Sequence, residues 1–160
     1  MAITCCRIIT FFIPNKTGTF KNTSKIQILR ITTDVLTSNL CRPFFSSMPF
    51  LLSFMGAVCG KNLSFSGKIF NADLLYAGDN LLVGDGAFIC GHLQQSNKFI
   101  LGKIKIGNNV TLGVRSFIMP NVTIGDNSII AAYSVVTMGT KIPNNEIWGG
   151  IPAKKIGNRT

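Results

Sequence analysis

The sequence predicts a mainly β protein, a left-handed parallel β-helix, and three observations carry that prediction. A branched aliphatic residue returns every six positions: Ile106, Leu112, Ile118, Ile124, Ile130, Val136 and Ile142. Four residues after each of the first six stands a small or β-branched side chain: Val110, Ser116, Val122, Ser128, Ser134 and Thr140. Glycine, asparagine and aspartate collect between them, as in Gly107-Asn108-Asn109 and Gly125-Asp126-Asn127. A period of six is neither the period of about 3.6 of a helix nor the strict alternation of a half-buried strand.

Three hexads close one turn of a triangular prism, so every third hexad returns the chain to the same face one layer higher. The aliphatic side chain points inward and stacks on those of the coils above and below. The small position falls where the interior narrows, and Gly-Asx pairs tolerate the bend at the corners. Each coil buries its inner face only against its neighbours, which is the logic of a solenoid.

The elements follow in chain order. Residues 1–55 form an irregular N-terminal segment, partly helical or poorly ordered. Within it residues 14–43 are rich in Thr, Asn, Ser and Lys and show no clean period. Pro49 opens Phe50-Leu51-Leu52-Ser53-Phe54-Met55, enough for about two helical turns. That stretch reads as a cap over the open first coil or as an apolar contact at a membrane surface, and the cap is the simpler reading.

The β-helix is expected over 56–143, since the same phase runs backwards through Ile89-Cys90, Val83-Gly84, Ala77-Gly78 and Cys59-Gly60, with a poor hexad at Asn71. Between Ile89 and Ile100 the spacing is eleven, which reads as one hexad and five surplus residues. The surplus falls in Gln94-Gln95-Ser96-Asn97-Lys98 and predicts an external loop near 94–99. A tail closes the chain over 144–160.

On that count the hexads at Ile89, Leu112 and Ile130 share a face, and His92, Arg115 and Tyr133 form one column beside Val114 and Ala132. His92, the single histidine, sits at the start of the loop. A neutral imidazole suits proton removal from a hydroxyl or amine near neutral pH. Arg115 and Tyr133 become candidates for the acceptor side of the same site.

Composition narrows the partners. Apolar residues make up 46% and charged residues only 14%, with 16 Lys and Arg against 6 Asp and Glu for a net charge of +10. An anionic ligand or surface answers to that balance. The basic residues are dispersed, and no aromatic RNA-binding signature accompanies them, which argues against nucleic acid. Five cysteines with no C-x-x-C pattern suggest neither a disulfide framework nor structural zinc, so a reduced, cytoplasmic compartment is expected. Arg7 interrupts the N-terminal apolar stretch, so no signal peptide is read there. Residues 44–58 are short for a membrane span.

Several stretches carry a resemblance. They are Gly91-His92 with its loop, Ile104-Lys105-Ile106-Gly107-Asn108-Asn109-Val110, and Ile129-Ile130-Ala131-Ala132-Tyr133-Ser134-Val135-Val136-Thr137. With the ending Gly149-Gly150-Ile151-Pro152-Ala153-Lys154-Lys155, they resemble the hexapeptide-repeat acetyltransferases over residues 56–157.

The resemblance implies a trimer of prisms with acetyl-CoA in the groove between neighbours and no metal. It implies His92 as general base, Val114 and Ala132 lining the pantetheine arm, and Thr137 and Met138 near the adenine end. Lys154 and Lys155 would approach the nucleotide phosphates. The chain departs from the family at Met138, where lysine is frequent, at Gly157, where a second basic residue is frequent, and at Tyr133, where glycine is usual.

Three functions remain open. The first is an acetyl-CoA-dependent O-acetyltransferase acting on a sugar or polysaccharide hydroxyl, as in polysaccharide biosynthesis. The second is an N-acetyltransferase of an amino sugar or other amine. The third is a non-catalytic β-helix that serves in assembly. A zinc hydratase is set aside, because such sites take three histidines and this chain has one.

Overall fold

Each hexad commits one aliphatic side chain to the interior, and the short strands that result stack as three parallel sheets. The structure, a computed structural model, describes residues 17–21, 52–53 and 55–160. Face I comprises Val58–Cys59, Leu75–Ala77, Ile104–Ile106, Thr123–Ile124 and Lys141–Ile142. Face II comprises Ser64–Phe65, Leu82–Val83, Thr111–Leu112, Ile129–Ile130 and Glu146–Gly150. Face III comprises Lys68–Phe70, Phe88–Cys90, Phe117–Ile118 and Val135–Val136. This is the left-handed parallel β-helix that the hexads predict.

The inward positions match the repeat. Ile89, Ile104 and Ile124 are 1% exposed, and Leu112, Ile118, Ile130 and Val136 are fully buried. Each such side chain contributes about 1.5–3 kcal/mol by leaving water. The small positions Val110, Ser116, Val122, Ser128 and Ser134 are also fully buried. Ser128 Oγ donates to the Pro143 carbonyl at 2.9 Å, and Ser134 Oγ accepts from the Gly150 amide at 3.2 Å. Among the described residues, Ser116 Oγ is buried without a hydrogen-bond partner.

The corner between faces I and II repeats in every coil. Asn62, Asn80, Asn109, Asn127 and Asn145 take left-handed backbone angles, with φ between 54° and 61°. Asparagine tolerates that region better than other residues with a side chain. Their amides form a chain: Asn62 donates to Asn80 at 2.9 Å, Asn80 to Asn109 at 2.7 Å and Asn109 to Asn127 at 3.0 Å.

Register overturns the five-residue count for the external loop. In the asparagine ladder one regular coil separates Asn109 from Asn127, a step of 18, whereas the coil that holds the insertion separates Asn80 from Asn109, a step of 29. The strands agree, since Ile118 pairs with Val136 above it and with Ile89 below it. The insertion is therefore eleven residues long. It is a β-hairpin of His92–Gln95 and Lys98–Leu101 rather than a loose loop. Ile100 belongs to this hairpin, opposite Leu93, and not to the interior. Gly18–Lys21 adds a third antiparallel strand on Lys98–Leu101, so part of the segment expected to be poorly ordered has a defined place.

At the base of the prism Leu52 is buried in the core, and the Ala57 amide bonds to its carbonyl at 2.9 Å. The remainder of the expected N-terminal helix lies outside the described residues. At the other end Ala153–Asn158 folds back antiparallel on Glu146–Gly150. Arg159 Nη1 then donates to the Asn109 carbonyl at 2.8 Å, tying the tail to the asparagine corner.

Candidate functional site

The corner between faces III and I departs most from the repeat, and His92 stands on it. The chain leaves face III at Cys90, enters the hairpin at His92 and returns to face I at Ile104. The hairpin stem closes where the Gly102 amide donates to the Gly91 carbonyl at 2.9 Å. A side chain is excluded at Gly102 and would be tight at Gly91. A Cβ on Gly102 would lie 2.6 Å from the Asn121 backbone nitrogen, and one on Gly91 would lie 3.0 Å from the Asn71 Cβ.

His92 is half-buried between two phenylalanines. Its ring stacks on Phe99 at 5.3 Å between centroids and meets the edge of Phe70 at 6.0 Å. Nδ1 lies 2.6 Å from Asn71 Oδ1. An amide oxygen only accepts, so the proton sits on Nδ1 and Nε2 keeps its lone pair. Burial holds the His92 pKa below the ordinary histidine value, which favours the neutral ring at neutral pH. Cys90 Sγ donates to the His92 carbonyl at 3.1 Å and pins the backbone beside the ring.

Asn71 carries no sequence motif that marks it as part of a site. It is 2% exposed, adopts φ 61° and opens the 3-10 turn Ala72–Leu74. The poor hexad at this position is the one available signal, because the corner serves His92 instead of continuing the prism. Phe70 and Phe99 are hidden in the same way, as aromatic residues in apolar runs.

The expected column of His92, Arg115 and Tyr133 does not form. Arg115 and Tyr133 do stack at the corner between faces II and III, with Nη1 3.4 Å from the Tyr133 hydroxyl and the guanidinium 5.8 Å from the ring centroid. Beneath them stands Gly86, whose position faces the Arg115 side chain. The cause is the length of the insertion, which puts Ile89 under Ile118 on face III and Val83 under Leu112 on face II. Val114 and Ala132, both exposed, share the II–III edge with Arg115 and Tyr133. His92 belongs to the opposite edge of face III.

Thr137 and Met138 are exposed on the His92 edge, higher up the prism. Thr140 Oγ1 donates to the Thr137 carbonyl at 2.7 Å and shapes that turn. In the tail Lys154 is exposed, whereas Lys155 Nζ is 2.7 Å from Glu146 Oε1. Hydrogen bonds from Lys155, and then from Trp148, hold the Glu146 carboxyl below the ordinary glutamate value. Trp148 packs against the core beneath the tail. Among the described residues no helix is long and apolar enough to cross a membrane. Nor, among them, does a group of three His, Cys, Asp or Glu side chains gather as a metal site would require.

Residues 103–137 match the family described as bacterial transferase hexapeptide (six repeats). No curated protein sequence matches the chain. Solved structures do. A galactoside acetyltransferase in complex with coenzyme A is 21% identical with a TM-score of 0.69, covering 95% of this chain and 91% of that one. A maltose O-acetyltransferase from Clostridium difficile 630 is 19% identical with a TM-score of 0.67, covering 90% of this chain and 94% of that one. A hexapeptide-repeat-containing acetyltransferase from Vibrio cholerae is 17% identical with a TM-score of 0.63, covering 88% and 96%.

The fold and the repeat define a hexapeptide-repeat β-helix protein. Its repeat is that of the bacterial transferases, and its fold is the one the hexapeptide-repeat acetyltransferases share.

Proposed function

We propose that the protein is an acetyl-CoA-dependent O-acetyltransferase acting on a sugar or polysaccharide hydroxyl, with His92 as general base. The observation that carries this reading is the 2.6 Å contact between His92 Nδ1 and Asn71 Oδ1, which leaves Nε2 as a positioned proton acceptor. Nε2 takes the proton of the acceptor hydroxyl as its oxygen attacks the thioester carbonyl. The C–S bond of the tetrahedral intermediate then breaks, and the imidazolium returns its proton to the departing thiolate. The choice of a sugar leans on neighbours whose printed names are maltose and galactoside acetyltransferases, a fold-level analogy.

The donor contacts read from the sequence support a site shared between copies. His92 lies on one edge of face III, and Val114 and Ala132 lie on the other, so a single prism does not bring them together. In a ring of three, the His92 edge of one protomer would meet the Val114 edge of the next. Face III would then turn inward. It carries Phe117 stacked on Phe88 at 5.2 Å, with Phe70 5.0 Å from Phe88. Thr137, Met138 and Lys154 would serve the distal part of the donor, while Lys155 is occupied by Glu146.

Calorimetric titration with acetyl-CoA tests the reading, with saturation near one site per chain expected. A folded protein that binds neither acetyl-CoA nor CoA would leave the assembly module as its function. Subunit mixing tests the shared site. His92→Ala and Val114→Trp proteins, each inactive alone, should regain part of their activity once unfolded together and refolded. No recovery in a mixed trimer would place base and donor on one protomer. In a screen of paired sugars, preference for an amino sugar over its hydroxyl counterpart would replace O- by N-transfer.

A further inference from the structure

Face I carries a groove of about 440 Å³ that the catalytic reading does not use. Val58, Tyr76, Lys105 and Thr123 line it from successive coils. Lys105 stands above Tyr76 in the ladder, then Thr123 and then Lys141. Lys103 is held over the Tyr76 ring, its Nζ 5.2 Å from the centroid, by cation–π attraction. The acids at the I–II corner, Asp79 and Asp126, turn their carboxylates to the backbone amides of Lys61 and Asn108. Lys103, Lys105 and Lys141 are exposed, and the strands of face I themselves carry no acidic residue.

Spacing selects among polyanions. Lys105 and Lys141 are two strands apart, or roughly 9.6 Å. Each strand of duplex DNA carries a phosphate about every 3.4 Å of helix axis, so most of its charge would go unmatched here. A membrane surface would want a broad apolar face, yet among the described residues Val58 is the one strongly exposed apolar side chain on the outside of face I. A polysaccharide with one carboxylate on every second sugar has a sparse, regular charge that suits lysines two rungs apart, with Thr123 between them to hydrogen-bond a sugar hydroxyl. Position agrees as well. Leu101 pairs with His92 across the hairpin stem, and Lys103 follows it by two residues. The face thus begins beside the His92 corner.

We propose that face I binds an acidic saccharide chain and that the acceptor is such a chain. Lys105 and Lys141 would hold successive carboxylates, and Lys103 would stand nearest the reacting sugar. The inference rests on the transferase reading for the role of the chain as acceptor, but binding itself does not depend on it.

The test is a titration without acetyl-CoA, using a hyaluronan octasaccharide, which has a glucuronate at every second sugar, and its carboxyl-reduced neutral counterpart. The acidic form should bind in a salt-dependent manner and the neutral form weakly. A Lys105→Gln/Lys141→Gln protein should lose roughly tenfold in affinity. A Lys61→Gln/Lys155→Gln protein, equal in net charge but altered elsewhere, should bind as the parent does. Equal binding of the neutral chain overturns the proposal, as does equal loss in the two double variants. So does preference for single-stranded DNA or for phosphatidylserine vesicles. Failure of acetyl-CoA to bind, measured separately, would remove the transferase reading and leave this result standing. In turnover, the Lys105/Lys141 double variant should raise KM for the acidic acceptor and leave kcat unchanged.

Discussion

The two edges that bound face I are built on opposite plans. Along the I–II edge each coil from Asn62 to Asn145 repeats one solution, an asparagine in the left-handed region. Along the III–I edge the coils differ: Asn71 opens a 3-10 turn, the hairpin follows, Asn121 makes a plain corner, and Gly139 turns the last. Repetition on the first edge serves the stack, because each corner stabilises its neighbours. On the second edge, the residues that break the pattern hold a histidine at a fixed tautomer. A solenoid that stops repeating gives up regular packing there, and the irregular corner is free to hold a side chain in a geometry the repeat would not supply.

Both edges hang on one interior, so the largest effect comes from breaking it. Ile118→Asp places an unpaired carboxylate in a fully buried position, at a cost of several kcal/mol. No cooperative thermal transition is expected, and a soluble, normally melting variant would show that Ile118 is not inside.

The next test separates the edges. His92→Ala should lower kcat/KM by roughly 10²–10⁴-fold while the protein still melts cooperatively with only a modest loss of Tm, because the ring contacts Asn71 and Phe99 but none of the inward hexad positions changes. On the proposed mechanism the active ring is the neutral one. Its pKa is lowered by burial, so kcat/KM should be full at neutral pH and fall only as pH drops through a midpoint below the ordinary histidine value. A rate that is flat across that range removes the imidazole from the mechanism.

The opposite pattern is expected on the other edge. Asn109→Ala should cost about 1–3 kcal/mol through backbone strain and lost amide bonds, with kcat unchanged. Asn109→Gly should recover the backbone part of that loss. Equal melting of the two variants would mean that the side-chain ladder, and not the left-handed angle, does the stabilising.

The smallest effect lies in the core, where serines at equivalent positions differ. Ser116→Ala should stabilise by about 1 kcal/mol, since its hydroxyl is buried without a partner among the described residues. Ser134→Ala should destabilise by a similar amount, because it strips the Gly150 amide of its acceptor. Denaturant midpoints would register both signs.

The regular parts of the molecule are legible in the sequence because they rest on one local rule. Spacing alone places Ile106 to Ile142 inside, and their small partners with them. The hairpin escapes that rule because Phe99-Ile100-Leu101-Gly102 imitates a hexad. Ile100 stands six residues before Ile106 and so fits the period, although these residues alternate as a strand does, with Phe99 and Leu101 buried and Ile100 between them half-buried.

That single false aliphatic moves His92 one face round the prism and creates a column with Arg115 and Tyr133 that the structure lacks. His92 itself stands out in the sequence as the one histidine beside the one insertion. Asn71 does not, because its role depends on contact across 21 residues that no local pattern records. Gly18–Lys21 is invisible for the same reason, as its pairing lies far along the chain.

The position of the His92 corner along the chain also has a consequence for biosynthesis. Every element of that corner lies at or before Gly102: Gly18–Lys21, Phe70, Asn71, His92, Phe99 and the hairpin stem. A chain emerging N-terminus first can therefore assemble the corner while its last coils are still inside the ribosome. Each later coil then has a finished layer to settle on, one pairing distance behind it. On this order the protein acquires its histidine corner early and its edge of Val114 and Ala132 late.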